Sequence, residues 1–127
     1  MDGLPTVLEA ASLPQPSSVN GTVQAPIQGA SLVYSFNDAK APARHTTQYF
    51  EMFGNRAIYH DGWMARVVHK LPWAAQPITK LADDTWALYD TRSDFSLAND
   101  VAAANPDKLK ELQALFLKEA ERNHVLP

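Results

Sequence analysis

The sequence predicts an α+β fold, in which an antiparallel meander is followed by one helix that packs on a face of the sheet. Residues 46–89 contain short runs rich in Thr, Tyr, Phe, Val and Trp, separated by turn residues. Residues 106–122 carry apolar side chains at helical spacing. With 127 residues, 46% of them apolar and 20% charged, the chain has the size and composition of one small globular domain.

The predicted strands are separated by glycine-containing turns. Asp61-Gly62 indicates a tight hairpin, because both central residues of such a turn need positive φ. Gly54-Asn55 is a second predicted turn. The predicted strands are residues 32–36, 46–53, 56–60, 63–68 and 85–89.

The C-terminal helix is predicted for residues 106–122. Asn105 is a residue type that caps helices, and Pro106 suits the first helical position. The apolar stripe of this helix comprises Leu109, Leu112, Phe116 and Ala120. Burial of each large side chain contributes roughly 1.5–3 kcal/mol, which is enough to hold the helix on the sheet.

The N-terminal 30 residues differ from the rest of the chain. Leu4, Val7, Leu8 and Ala11 form one apolar stripe on a short helix, and a loop rich in Pro, Ser, Asn and Gly follows over residues 13–21. A helix this short is marginal alone and must pack on something. We therefore expect residues 1–30 to belong to a larger protein.

Composition excludes several classes of function. The net charge of −3 shows no basic excess, so we expect no nucleic-acid partner. No apolar run approaches the roughly 20 residues that span a bilayer, so we expect no membrane partner. The absence of cysteine excludes disulfides, thiolate zinc sites and a cysteine nucleophile, and it leaves the compartment open.

Histidines are the first candidates for chemistry. His45, His60, His69 and His124 lack the mutual spacing of a local metal motif, so no metal site is predicted. His45 lies beside Thr46-Thr47, where a loop enters a predicted strand, a common place for functional side chains. A strand-capping role and substrate contact both remain open for it. His60 flanks the predicted hairpin and is interpreted as structural.

The other candidates favour a structural interpretation. Asp83 and Asp84 are adjacent and point opposite ways in an extended segment, so they predict a solvated loop rather than acid–base catalysis. Trp63 and Trp86 lie in or beside predicted strands and are expected in the core, whereas Trp73 stays open. No serine lies in a Gly-x-Ser-x-Gly elbow. The residues by themselves indicate an α+β domain with no catalytic residue.

Residues 45–63, HTTQYFEMFGNRAIYHDGW, resemble a stretch in the C-terminal region of bacterial arylsulfatases, members of the alkaline-phosphatase-like superfamily. Other segments resemble the same enzymes in the same order: 5–11, 19–21, 26–29, 86–90, 94–95 and 99–100. The resemblance implies a small antiparallel sheet of about four strands with the C-terminal helix on one face. It implies that residues 1–30 are the tail of a catalytic domain plus a linker, and that residues 31–127 are the C-terminal sulfatase subdomain.

The same resemblance implies that the parent enzyme hydrolyses sulfate esters, but this chain lacks the residues which that reaction needs. Sulfatases hydrolyse sulfate esters with a formylglycine made in a C/S-x-P-x-R motif and with calcium held by Asp and Asn. Neither motif is present here, so no catalytic residue of the family transfers, and we expect no cofactor in these 127 residues. The predicted substrate-contacting residues are His45, Thr47 and Tyr49.

Two functions follow as hypotheses. In the first, the chain is an inactive C-terminal piece of an arylsulfatase, whose partner is the missing catalytic domain. Exposure of the apolar stripe on the first helix would also favour self-association. In the second, the chain is a stand-alone α+β binding module derived from a sulfatase.

Overall fold

The computed structural model describes residues 1–71, 73 and 80–125. They divide into two compact units, Met1–His45 and Thr46–Pro127, each with its own internal contacts. The predicted boundary between residues 30 and 31 concerns the domains of a parent enzyme and stays a prediction. The sequence also predicts a surface loop over residues 70–84, a segment with two prolines and no clear periodicity, and residues 72 and 74–79 of this segment lie outside the described residues.

The first unit contains a short helix and a small hairpin. Helix α1 spans Gly3–Ala10, and strands β1, Ser18–Val19, and β2, Thr22–Val23, pair antiparallel. Residues 13–21 were predicted as a loop, and that prediction is wrong at its end. Asn20 and Gly21 have φ of 49° and 80°. Positive φ at both positions is typical of a tight hairpin turn, and this turn joins β1 to β2.

A second correction in this unit concerns the strand predicted over residues 32–36. The structure has a short 3₁₀ helix, Val33–Ser35, instead. The backbone N–H of Ser35 donates to the carbonyl of Leu32 at 2.9 Å, and its hydroxyl donates to the same oxygen at 2.8 Å. These local bonds satisfy backbone groups that a strand would have to pair with a neighbouring strand.

The second unit contains a four-stranded antiparallel sheet in the order β3-β4-β5-β6. Its strands are β3, Thr47–Met52, β4, Asn55–His60, β5, Trp63–Val67, and β6, Ala87–Asp90. Together with the C-terminal helix this sheet confirms the predicted α+β fold. No helix among residues 1–71, 73 and 80–125 is long and apolar enough to cross a bilayer.

Two-residue turns join the first three strands of this sheet. Asp61 and Gly62 have φ of 45° and 84°, so the predicted hairpin is confirmed. The turn predicted at residues 54–55 is wrong by one position. Phe53 and Gly54 form it, with φ of 54° and 84°, and Asn55 begins β4. Glycine occupies the second central position in each of the two turns.

Helix α2 spans Pro106–Arg122, as the sequence predicts. The expected side-chain cap is absent, because Nδ2 of Asn105 donates instead to the carbonyl of Val101 at 3.1 Å. Proline at the first helical position has no backbone N–H to satisfy, and its fixed φ suits the start of a helix. The helix therefore begins where it was predicted, with a different local hydrogen bond.

The core of the second unit lies between α2 and one face of the sheet. Leu112, Phe116 and Ala120 are buried on the helix, and the ring of Phe116 stacks on Tyr49 with centroids 5.0 Å apart. Trp86 meets the same ring edge-on at 5.4 Å. The buried residues contributed by the strands to this cluster are Ile58, Ala65 and Leu88. The predicted helical stripe is thus the helical half of the core.

Candidate functional site

The predicted site residues fall in both compact units. His45 ends the first unit, whereas Thr47 and Tyr49 lie two residues apart on β3 of the second. Strand alternation places Thr47 and Tyr49 on the same face of the sheet, the face that packs on α2. The structure thus brings two of the three predicted residues together on one element.

His45 is hydrogen-bonded to Asp2 within the first unit. Its Nδ1 lies 2.9 and 3.0 Å from the two carboxylate oxygens of Asp2. The backbone N–H of Ala30 donates to the same carboxylate at 2.9 Å. The hydrogen bond from His45, and then that from Ala30, holds the pKa of Asp2 below its ordinary value. Asp2 therefore stays charged and ties the start of α1 to residues 30 and 45.

Thr47 is held by a histidine on the neighbouring strand. Thr47 and His60 are direct cross-strand partners, and Oγ1 of Thr47 lies 2.8 Å from Nδ1 of His60. Nε2 of the same ring lies 3.5 Å from a carboxylate oxygen of Asp61. The tautomer of His60 decides which group donates. The contact holds the Thr47 oxygen in place, so His60 has the structural role that was predicted for it.

The ring of Tyr49 packs against Phe116, whereas its hydroxyl makes no hydrogen bond within the described residues. Its phenol oxygen is buried and has no hydrogen-bond partner among the described residues. Burial, and then the nearby charge of Glu51, raises the pKa of Tyr49, so the phenol stays neutral. A buried polar atom without a partner is uncommon in folded proteins and costs stability.

A buried ion cluster at the other end of the same face was missed by sequence reasoning. Nη2 of Arg56 donates to a carboxylate oxygen of Asp84 and to the carbonyl of Leu81, the latter at 3.1 Å. Nδ1 of His69 lies 3.0 and 3.1 Å from the oxygens of Asp84. The side chains of Arg56, Asp84 and His69 are only 14, 7 and 7% exposed. This carboxylate therefore compensates two buried groups.

The interpretation of Asp83 and Asp84 as a solvated loop is confirmed for Asp83, which is exposed, and wrong for Asp84. Asp83 is the last residue of a short 3₁₀ helix, Leu81–Asp83, rather than part of an extended segment, and the backbone becomes extended at Asp84, whose side chain is the one that faces inward. The signal that could have found the cluster is Arg56. It lies two residues before Ile58 on β4, so both side chains are on the inward face, where a charge needs a partner.

His69 and Lys70, which follow β5, are also held by hydrogen bonds beside the turn between β3 and β4. Oδ1 of Asn55 accepts hydrogen bonds from the backbone N–H groups of His69 and Lys70, at 2.9 and 3.2 Å. A Cβ on Gly54 would lie only 2.7 Å from Cδ2 of His69, so glycine permits the close approach. These contacts make the cluster a structural fastening rather than an open site.

Two further predictions concern the three tryptophans and the absence of a metal site. Trp63 and Trp86 pack against the core as predicted, and Trp73 is 82% exposed. Within residues 1–71, 73 and 80–125, no three His, Cys, Asp or Glu side chains are grouped as metal ligands. The expectation that calcium and formylglycine lie outside these 127 residues stays a prediction.

No protein-family model and no curated protein matches the sequence. Two solved structures are similar over nearly the whole chain. One is a Bacteroides thetaiotaomicron protein labelled BT33336S-sulf, from work on the metabolism of multiple glycosaminoglycans, with a TM-score of 0.59 and 19% identity over 92% of this chain. The other is BT4656, solved in complex with its substrate D-glucosamine-2-N,6-O-disulfate, with a TM-score of 0.60 and 22% identity over 94% of this chain.

The match covers only a small part of those two proteins. This chain spans 24% of the length of the first and 23% of the second. Both are bacterial sulfatases. At these identities the likeness concerns the fold, and it agrees with the predicted sheet and helix. The chain therefore has the fold of the C-terminal subdomain of bacterial sulfatases.

Proposed function

We propose that this chain is the C-terminal subdomain of a sulfatase, inactive by itself, which supports a catalytic domain that hydrolyses sulfate esters. The observation that carries the proposal is the fold match, which includes 92 and 94% of this chain but about a quarter of each sulfatase. The arylsulfatase-like segment at residues 45–63 adds support from the sequence.

The charges of the described residues support an inactive role for the isolated chain. Sulfate-ester hydrolysis needs an activated nucleophile and concentrated positive charge around the transferring group. Arg56 is already paired with Asp84 in the buried cluster. Arg92 is likewise paired with Asp90, at 2.7 Å. Calcium and formylglycine would therefore belong to the part of the enzyme outside these residues.

For the complete enzyme we propose that His45, Thr47 and Tyr49 line the substrate cleft. Support comes from two side chains on β3. The Thr47 oxygen is held in place by its hydrogen bond with His60, and the neutral, buried Tyr49 hydroxyl has no partner among the described residues. The Tyr49 hydroxyl thus keeps a proton to donate to a substrate oxygen, and the Thr47 oxygen keeps a lone pair to accept from a substrate hydroxyl, whichever group donates between Thr47 and His60.

The experiment compares the 127-residue chain with the complete protein encoded by its reading frame. Each is assayed for sulfate release from a chromogenic aryl sulfate and from 6-O-sulfated glucosamine, with calcium added. We expect turnover by the complete protein and none by the 127-residue chain. Turnover by the isolated chain that survives repurification contradicts its inactive role. A complete protein that hydrolyses neither ester contradicts the sulfatase assignment and favours a binding module.

The proposed substrate contacts are tested in the complete protein. Thr47→Val and Tyr49→Phe remove one hydroxyl each while nearly preserving side-chain shape. Loss of one hydrogen bond to the transition state should lower kcat/KM about tenfold. Thr85→Val is the matched control, because Thr85 is exposed and lies outside the strands of the sheet. Equal effects of the three substitutions would remove Thr47 and Tyr49 from the cleft.

A further inference from the structure

The four-stranded sheet has a second face that is not covered by α2. Tyr49, Ile58, Ala65 and Leu88 lie in register across the strands and face the helix. The residues that alternate with them form the opposite side, called the open face below. The open face comprises Gln48, Phe50, Met52, Asn55, Ala57, Tyr59, Met64, Arg66, Ala87 and Tyr89, of which Tyr89 is buried.

The composition of the open face is unusual for a surface that meets water. An antiparallel sheet with one solvated face normally alternates apolar and polar residues. Here the open face contains no carboxylate, and most of its side chains are apolar or aromatic. Phe50 and Met52 are 47 and 60% exposed, and Phe95, which extends the patch beyond β6, is 92% exposed. Contiguous exposed apolar surface of this kind marks an interaction site.

The open face has depressions that can receive part of another protein. Two depressions, of about 600 and 580 Å³, share Phe50 as a lining residue. One extends past Ala57 toward Arg66, and the other extends past Met64 to Phe95. Phe50 thus divides a long trough into two halves, each able to receive a side chain or a turn of another protein segment.

The single formal charge on the strands of this face belongs to Arg66. Its guanidinium carbon lies 5.0 Å from the centroid of the Tyr89 ring, and its Nη2 donates to the Tyr89 hydroxyl at 3.3 Å. The charge is therefore held flat against the sheet. A complementary surface would be apolar, with a carboxylate opposite Arg66.

We infer that the open face is the surface on which the sulfatase catalytic domain docks, an inference that rests on the function proposed above. The occupant follows from the comparison with BT33336S-sulf and BT4656, in which about three quarters of the chain lies outside the shared fold. The remainder of such a chain is large enough to cover the sheet. Phe50 and Phe95 would be the aromatic anchors of the interface, since residues of this kind dominate interface energies.

Thiol labelling tests this inference, because the chain has no cysteine of its own. Phe50→Cys and Met52→Cys report on the open face. Leu117→Cys is the control, since Leu117 is 55% exposed on α2. Each variant is labelled with a maleimide, both in the 127-residue chain at low concentration and in the complete protein, and modification is measured by peptide mass spectrometry.

We expect positions 50, 52 and 117 to react at similar rates in the 127-residue chain. In the complete protein, the rates at 50 and 52 should fall by about tenfold or more, while the rate at 117 should change little. Unchanged rates at 50 and 52, or a fall at 117 as large as theirs, overturns the docking face. Protection of 50 and 52 that grows with the concentration of the 127-residue chain makes a second copy the occupant and also overturns it.

The labelling experiment and the activity assay together distinguish failure of the docking inference from failure of the proposed function. A complete protein that hydrolyses sulfate esters but leaves positions 50 and 52 reactive contradicts only the docking face. A complete protein without sulfatase activity contradicts the proposed function, and the inferred occupant fails with it.

Discussion

At the scale of single residues, Asp84 is the side chain on which we expect the second unit to depend most. It is only 7% exposed and faces both Arg56 and His69. Asp84→Asn leaves the Arg56 charge buried without its counter-ion, which typically costs about 3 kcal/mol. Urea denaturation followed by tryptophan fluorescence reports on this unit, because all three tryptophans lie after residue 45.

Asp83→Asn is the matched control for that substitution. Asp83 is adjacent and exposed, so its replacement should change the free energy of unfolding by less than about 0.5 kcal/mol. Equal effects at the two positions would show that the buried ion cluster contributes nothing to stability.

Tyr49 leads to the opposite expectation. Its ring stacks on Phe116, while its buried hydroxyl has no partner among the described residues. Tyr49→Phe keeps the stacking and removes the cost of the unpaired hydroxyl, so the isolated chain should be unchanged or more stable by about 1 kcal/mol. A loss of stability in urea denaturation, compared with Tyr59→Phe, would mean that the Tyr49 hydroxyl has a hydrogen-bond partner in solution.

At the scale of elements, the hairpin between β4 and β5 depends on its glycine. Gly62 has a φ of 84°, and a Cβ there would lie 2.8 Å from the side chain of Arg92. Gly62→Val should destabilise the second unit by about 1–2 kcal/mol, because a β-branched residue is strained at positive φ. Urea denaturation with tryptophan detection measures the effect.

Gly21→Val introduces the same kind of strain, at a φ of 80°, in the β1–β2 hairpin of the first unit. It should leave the tryptophan-detected transition within about 0.5 kcal/mol of the unmodified chain. An unchanged midpoint for Gly62→Val would show that the β4–β5 turn tolerates a side chain.

At the scale of the whole molecule, the first unit presents apolar surface. Leu4 and Val7 of α1 are 57 and 63% exposed, and no residue in Gly3–Ala10 is buried. Exposed apolar stripes favour association. We therefore expect the 127-residue chain to self-associate, and we expect deletion of residues 1–20 to reduce this association in sedimentation velocity.

The same deletion should leave the sheet and α2 folded, because β3, β4, β5, β6 and α2 form their core within residues 46–127. Circular dichroism of the truncated chain measures this. A monomeric 127-residue chain whose sheet unfolds on deletion of residues 1–20 would mean that α1 belongs to the core of the second unit.

The sequence by itself determined the elements whose signals are local. Helix α2 follows from 3.6-residue periodicity and a proline at its first position, and the β4–β5 hairpin follows from Asp61-Gly62. Both depend only on backbone preferences and side-chain spacing within the segment itself. The resemblance of residues 45–63 to arylsulfatases likewise led to the sulfatase fold, which the solved structures confirm.

Tertiary structure decided everything that depends on a distant partner. Residues 32–36 have the composition of a strand, but no strand in the described part of the chain pairs with them, and they close local hydrogen bonds instead. Asp84 is buried because Arg56, 28 positions earlier, faces the same side of the sheet. The open face is recognisable only when four strands are in register, because its apolar residues come from segments that the sequence keeps apart.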